Sequence, residues 1–298
     1  MPSIISVVVR EQIRLLKPLI NKLSIETARI FQDKLGEFET RIVASKINVT
    51  PVEMQDFEAC MVCPKEHEKL DSRVILYLHG GGYVAGNIKY ACGFASILAA
   101  TMDVNVFSAA YRLAPEYPFP AAVEDAFSAY TKLLELGYAP ENISLIGESA
   151  GGGLIYSLCH FLKQKEFPLP SALVGISPWT DLTFGGRSYK FNKEKDPVLT
   201  EKAIRAYARA YARGHERNPL VSPVFGDFND FPPSLIFAGG DELLLDDAKM
   251  LAEKLIQSDC KCELIIEEGL WHVYVLYKIP EANQALEKIK SFLELKCD

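Results

Sequence analysis

The chain has 298 residues, is 49% hydrophobic and 24% charged, and carries a formal net charge of −7 at pH 7; that is enough for one large domain with a well-buried core plus an appended smaller element. The acidic balance, without any dense Lys/Arg block, excludes a phosphate-tracking nucleic-acid surface, which depends on clustered cations. Seven cysteines scattered along the sequence are an odd number, which suits free buried thiols in a reducing compartment better than a disulfide framework and makes the cytoplasm the expected location.

The apolar run Ile4–Val9 is too short to cross a bilayer, has no basic region before it and is followed by Arg10, Glu11, Arg14 and Lys17. It is read as neither a membrane span nor a signal peptide. The helical stretch beyond it places Ile13, Leu16, Leu19 and Leu23 on one apolar face, and residues 1–45 are assigned to a cap. One or two antiparallel strands are expected within Lys46–Val62, and Cys60 and Cys63 at its end form a lone CxxC. With no second CxxC and no thioredoxin-like setting, these are read as core or surface cysteines rather than a zinc or redox site.

From about residue 73 strand-like and helix-period stretches alternate, which predicts a mainly parallel sheet flanked by helices, an α/β class. The strands expected are Val74–Leu78, Val104–Ala109, Ile143–Gly147, Leu173–Ile176, Leu235–Ala238 and Glu263–Ile266, each short and apolar on both faces. Val123, Ala126, Phe127, Tyr130 and Leu134 make one helical face before Gly137. Ala248, Leu251, Ala252 and Leu255 make another after the candidate caps Asp246 and Asp247, and Ala282, Ala285, Leu286, Ile289 and Leu293 make the last. Residues 183–218, with a helix bearing Ile204, Tyr207 and Tyr211, break the alternation. They are assigned to the inserted part of the cap, leaving 46–182 and 219–298 as the core.

Gly147-Glu148-Ser149-Ala150-Gly151 matches GxSxG between a predicted strand and a predicted helix, the context in which a sharp turn lifts a serine hydroxyl above the sheet. A phosphate loop is the rival reading, but the Lys-Ser/Thr ending and the dinucleotide spacing are missing. His79-Gly80-Gly81-Gly82 follows the strand Val74–Leu78, so the N–H groups of Gly81, Gly82 and Ala150 are candidate oxyanion donors; His79 is read as structural. Of the five histidines, His67 and His215 lie in charged stretches and His160 sits in mid-helix. His272, in a loop after a strand, is the candidate base. Asp241 ends another strand in the order Ser149, Asp241, His272 and is the first choice of acid. Glu242, Asp246 and Asp247 are its competitors, and Glu148 receives no role.

Together these residues resemble the hormone-sensitive-lipase-like family of bacterial esterases, through HGGGY at 79–83, YRLAPEYPFPAAVEDA at 111–126, GESAGGG at 147–153, GGDELLLDDA at 239–248 and GLWHVY at 269–274. The resemblance implies an α/β-hydrolase fold with a two-part helical cap and a serine carboxylesterase that needs no cofactor or metal. It assigns Ser149, Asp241 and His272 to a triad and Gly81, Gly82 and Ala150 to an oxyanion hole, the same six the residues themselves suggest. Glu148 departs from the family, where many members carry Asp, and so does Val273, where many carry Gly. The expected partner is a small ester, of short- to medium-chain acids, with no membrane span and a homodimer left open. The rival from another class is a non-catalytic small-ligand-binding protein on the same scaffold, like the plant gibberellin receptors that resemble this family and have lost the base; retention of His272 speaks against it.

Overall fold

The structure, a computed structural model, describes residues 1–20, 24–65 and 72–294; Leu23 and His67 lie outside the described residues, as does the side chain of Leu19. In chain order the elements are α1 (Ile4–Ile20), α2 (Ile25–Val43), β1 (Ile47–Val52), β2 (Glu58–Pro64), β3 (Val74–Leu78), α3 (Ile88–Met102), β4 (Asn105–Ala110) and α4 (Ala121–Glu135). There follow β5 (Ile143–Glu148), α5 (Ala150–Gln164), β6 (Ala172–Ile176), α6 (Ser188–Phe191), α7 (Glu201–Ala212), β7 (Ser234–Gly239), α8 (Leu245–Gln257), β8 (Cys262–Glu267) and α9 (Pro280–Glu294). The strands form one eight-stranded sheet in the order β1-β2-β4-β3-β5-β6-β7-β8. β1, β2 and β4 pair antiparallel, and the pairs from β4 through β3 to β8 are parallel.

Every residue of β3, β6 and β7 is buried, as apolar strands covered by helices on both faces require. Two apolar clusters result, one on each side of the sheet: Leu76, Leu154 and Leu251 belong to the first, and Ile75, Val174 and Ile289 to the second. Adjacent residues of a strand point to opposite faces, which is why Leu76 and Ile75 part company. The predicted strands and principal helices recur within one or two residues. Thr200 caps α7 by accepting from Ala203 N–H at 3.3 Å, and Gly137 takes the left-handed conformation (φ 94°) just after α4.

Three expectations are corrected. Cys60 is not a free thiol: it is joined to Cys92 in a disulfide that ties β2 to α3. Its motif neighbour Cys63 is three residues on and faces the other side of the strand, so CxxC in a strand cannot close on itself. The disulfide also removes the argument for a reducing compartment that the odd cysteine count supplied. Asp246 and Asp247 do not cap α8. Asp246 accepts from Ser188 N–H at 2.9 Å, and Asp247 from the N–H groups of Thr180 and Asp181 at 3.1 and 2.9 Å, so both carboxylates tie neighbouring loops to the first turn of α8. Finally, α1 does not turn Leu16 inward. Its inner face is Ser6, Arg10, Ile13 and Lys17, while Leu16 is solvent-exposed.

α2 crosses α3 where Gly36 meets Gly93: a Cβ on either would strike the other helix, so the pair of glycines permits the close approach. Ile204 and Tyr211 of α7 are buried, and the Tyr211 ring stacks on Tyr83 at 3.8 Å between centroids, a contact worth about 0.5–1.5 kcal/mol beyond area burial. The helices of residues 1–45 and α7 thereby come to lie over the carboxyl ends of the parallel strands. Among the described residues no helix is long and apolar enough to cross a membrane.

Candidate active site

β5 ends at Glu148, and the chain turns sharply into α5 through Ser149, whose backbone (φ 55°, ψ −119°) lies outside the regions open to ordinary side chains. Such a conformation costs on the order of 1–3 kcal/mol and persists only when its surroundings enforce it. They do so here by close packing. A Cβ at Gly147 would run into the carbonyl of Gly151, and one at Gly151 into that of Leu78, so strand, turn and helix are in backbone contact only because both positions are glycine. The Ser149 N–H is held by the carbonyl of Ile176 at 2.9 Å, and its own carbonyl accepts from Trp179 N–H at 2.9 Å.

Opposite the serine, His272 Nε2 stands 2.9 Å from Ser149 Oγ, with the imidazole buried. The loop that carries it is fixed by Val273, whose φ of 53° puts a β-branched residue in the left-handed region. The position where the family resemblance leads one to expect glycine is therefore one where glycine is the unstrained choice. Val273 N–H donates to Ser177 Oγ at 2.9 Å, and Ser177 Oγ donates to Glu242 Oε2 at 2.6 Å. Ser177 thus links the histidine loop to a carboxylate. Its signal in the sequence was its place at the head of the family-like stretch SPWTDL at 177–182.

The position of that carboxylate bears on the choice of acid. Asp241 does not meet His272: its carboxylate pairs with Arg10 of α1 at 2.7 Å and reaches Lys195 at 3.8 Å. Glu242, the next residue, is fully buried with Oε2 3.8 Å from His272 Nδ1, and Oε2 also accepts from Gly239 N–H at 3.1 Å. The separation exceeds a hydrogen bond, and both His272 Nδ1 and Glu242 Oε1 are buried without a hydrogen-bond partner among the described residues. Both groups are thus left with unmet hydrogen-bonding capacity inside the site. Asp196 is also buried nearby, but its oxygens accept from the N–H groups of Val198, Leu199 and Leu243. Burial raises its pKa, with His272 opposing the shift.

On the other side of Ser149, Gly81 and Gly82 take positive φ values of 104° and 65° and line, with Ser149 and His272, a cavity of about 280 Å³. Ala150 begins α5 directly after the serine. Further walls include Phe31, Gln32 and Leu35 of α2, Ile204 and Tyr207 of α7 and Ile13 of α1, beside Trp179, Leu199 and Leu244. His79 is structural, as expected: its ring stacks on Tyr111 at 4.3 Å, Nδ1 lies 2.7 Å from the Gly80 carbonyl, and burial lowers its pKa to about 4. His160 is likewise a packed histidine, 3.1 Å from the Pro223 carbonyl and held at about 4 by burial. His215 is exposed. Among the described residues no cluster of three or more His, Cys, Asp or Glu is placed to hold a metal ion.

Glu148, which received no role from its sequence context, is buried beneath this loop. Gly80 N–H donates to Oε1 at 2.6 Å, Tyr90 OH to the same oxygen at 3.1 Å and Tyr77 OH to Oε2 at 2.9 Å. Burial outweighs these three bonds and pushes the carboxyl up to about 8. Because the folded state holds this proton more tightly than the unfolded chain, stability is lost as pH rises from the ordinary Glu value through about 8. Glu148→Gln is therefore expected to make the fall in unfolding free energy between about pH 4.5 and 8 shallower by up to about 1.4 kcal/mol per pH unit. Urea melts of both proteins across that range measure it, and parallel curves would remove Glu148 as the titrating group.

Known proteins resemble this chain in sequence and in fold. A family described as alpha/beta hydrolase fold matches residues 75–276. An acetyl-hydrolase of Streptomyces hygroscopicus is 35% identical over 269 residues, covering 87% of this chain and 90% of its own. An esterase of Acinetobacter venetianus is 35% identical over 225 residues, 74% of each chain. Among solved structures, an esterase from the bacterial hormone-sensitive lipase family superposes over 100% of both chains with a TM-score of 0.90 and 31% identity. EstE5, soaked with p-nitrophenyl butyrate, does so over 99% of both with a TM-score of 0.89 and 31% identity.

Proposed function

The chain belongs to the alpha/beta hydrolase fold family, among its bacterial hormone-sensitive-lipase-like esterases, and from that premise we propose that this carboxylesterase works through an acyl-enzyme on Ser149, with His272 as base and Glu242 as the orienting acid. The observation that carries the proposal is the 2.9 Å contact between His272 Nε2 and Ser149 Oγ at the floor of a cavity rimmed by Gly81 and Gly82. His272 takes the serine proton as Oγ attacks the ester carbonyl. The N–H groups of Gly81, Gly82 and Ala150 receive the oxyanion, one such donor typically being worth about 3 kcal/mol. His272 then returns the proton to the departing alcohol, and water, deprotonated by the same imidazole, cleaves the acyl-serine. Glu242 stabilises the imidazolium formed in each half. Glu148 positions the loop by fixing Gly80, one residue before the first donor.

Residues 1–45 and 183–218 act as a two-part cap, because side chains from both segments wall the cavity. A space of about 280 Å³, below the usual range for drug-sized ligands, favours short to medium acyl chains. Each methylene buried contributes up to about 0.8 kcal/mol until the cavity is full, and longer chains must then displace Phe31, Leu35 or Tyr207. The expected result is a maximum of kcat/KM at intermediate length on nitrophenyl esters from acetate to palmitate. A profile still climbing at palmitate would overturn the enclosed-cavity reading, and a panel left wholly untouched would indicate a binding protein on this scaffold.

A further inference from the structure

α1 is built in the reverse sense to an ordinary surface helix. Its polar side faces the protein: Arg10 donates to the Gly269 carbonyl at 2.8 Å and pairs with Asp241 at 2.7 Å, while Lys17 donates to the Asp196 carbonyl at 2.5 Å. Its solvent side is largely apolar. Ile4, Val8 and Leu15 repeat at spacings of four and seven residues with Ile5 and Leu16 beside them, all between 52 and 85% exposed. α2 repeats the arrangement with Phe31, Leu35, Phe38 and Ile42, between 41 and 57% exposed. A monomeric enzyme rarely leaves so many large apolar side chains aligned on two helices unless something covers them.

What covers them follows from where they lead. Phe31 and Leu35 belong both to the exposed stripe of α2 and to the wall of the cavity that holds Ser149, and Ile13, on the inner face of α1, lines the same cavity. A second copy of the chain seated here would lie across the route to the serine, whereas an ester-bearing lipid surface would supply that route. The charge pattern narrows the choice of surface. Arg10 and Lys17 are engaged inward, and the exposed Arg14 has Glu11 beside it at 4.0 Å. On α2 the exposed Lys34 and Arg41 flank Glu37. Among the described residues of α1 and α2 the exposed cations are thus interleaved with carboxylates rather than gathered for anionic headgroups.

We propose that the outer faces of α1 and α2 form a docking surface for an uncharged or zwitterionic lipid interface, seating the cavity mouth against the source of substrate. Amphipathic helices of this kind bury their apolar side at the headgroup boundary by area alone, so the attachment should be insensitive to salt. The idea rests on the proposed function only in taking this cavity as the substrate's.

The test is flotation of the full-length protein with phosphatidylcholine vesicles at low and high salt. Wild type is expected to float at both. Val8→Asp, Leu15→Asp and Phe38→Asp, none of which lines the cavity, should each lower the vesicle partition coefficient on the order of tenfold, from the loss of one partly buried apolar side chain. Turnover of soluble nitrophenyl acetate and the circular dichroism spectrum should stay unchanged. Ser149→Ala should float like wild type, which separates failure of docking from failure of the catalytic reading. Wild-type protein remaining below the vesicles would overturn the proposal. A dimer by light scattering that the same three substitutions dissociate would also overturn it, and would assign the face to a second copy.

Discussion

Ser149→Ala is expected to abolish ester hydrolysis while leaving the fold and ligand affinity in place. In a triad whose members act as a unit, loss of the nucleophile removes on the order of 10⁶ from kcat, and what remains over the uncatalysed rate comes from oxyanion donors and binding. Stability should hardly change, because alanine must adopt the same positive φ as the serine it replaces and the turn is imposed by the close packing of Gly147 and Gly151 rather than by the hydroxyl. The hydroxyl takes with it its hydrogen bond to His272 Nε2. The measurement is steady-state turnover of nitrophenyl butyrate beside a thermal melt, together with the burst of nitrophenol that an accumulating acyl-enzyme gives in the wild type and cannot give in the variant. Turnover near the wild-type rate in a folded Ser149→Ala protein would end the serine mechanism.

Glu242→Gln and Asp241→Asn should part company sharply, although the residues are adjacent. Glu242→Gln leaves the volume in place but replaces a buried acceptor by a group that can present N–H to His272 Nδ1. The imidazole then loses the partner that fixes its tautomer and stabilises its charged form, and kcat should fall by up to about 10⁴-fold with KM little changed. Asp241→Asn breaks a pairing with Arg10 on a partly exposed carboxylate, the kind of ion pair that contributes at most about 1 kcal/mol to stability, and turnover should stay within a few-fold of wild type. The ratio of the two kcat values decides the matter. If Asp241→Asn were the more damaging, the acid would return to the position the sequence first suggested.

The sheet and the residues that meet at the Ser149–His272 contact were legible in the linear order of residues because their physical causes are local. Short β-branched-rich runs apolar on both faces and bounded by turn residues read as buried strands, and the β5–Ser149–α5 turn announces itself through Gly147 and Gly151, where side chains cannot fit. His272 was found by elimination along the chain, with no geometry needed. The acid was not. Sequence order locates the loop after β7, but whether Asp241 or Glu242 faces the histidine depends on how the backbone rotates after Gly240, and a shift of one residue reverses the direction of a side chain. That rotation is set by distant partners: the Asp241 N–H bonds the Leu270 carbonyl, Arg10 draws its carboxylate outward, and Ser177 holds Glu242 inward. The same reason hid the Cys60–Cys92 link, the anchoring of Gly80 by Glu148 and the outward apolar face of α1. Each depends on which elements meet across the fold, whereas periodicity records only that a helix or strand has two unlike faces. Which face turns inward is a tertiary decision, and in α1 the pairing of Arg10 with Asp241 and of Lys17 with the Asp196 carbonyl turned the charged face in.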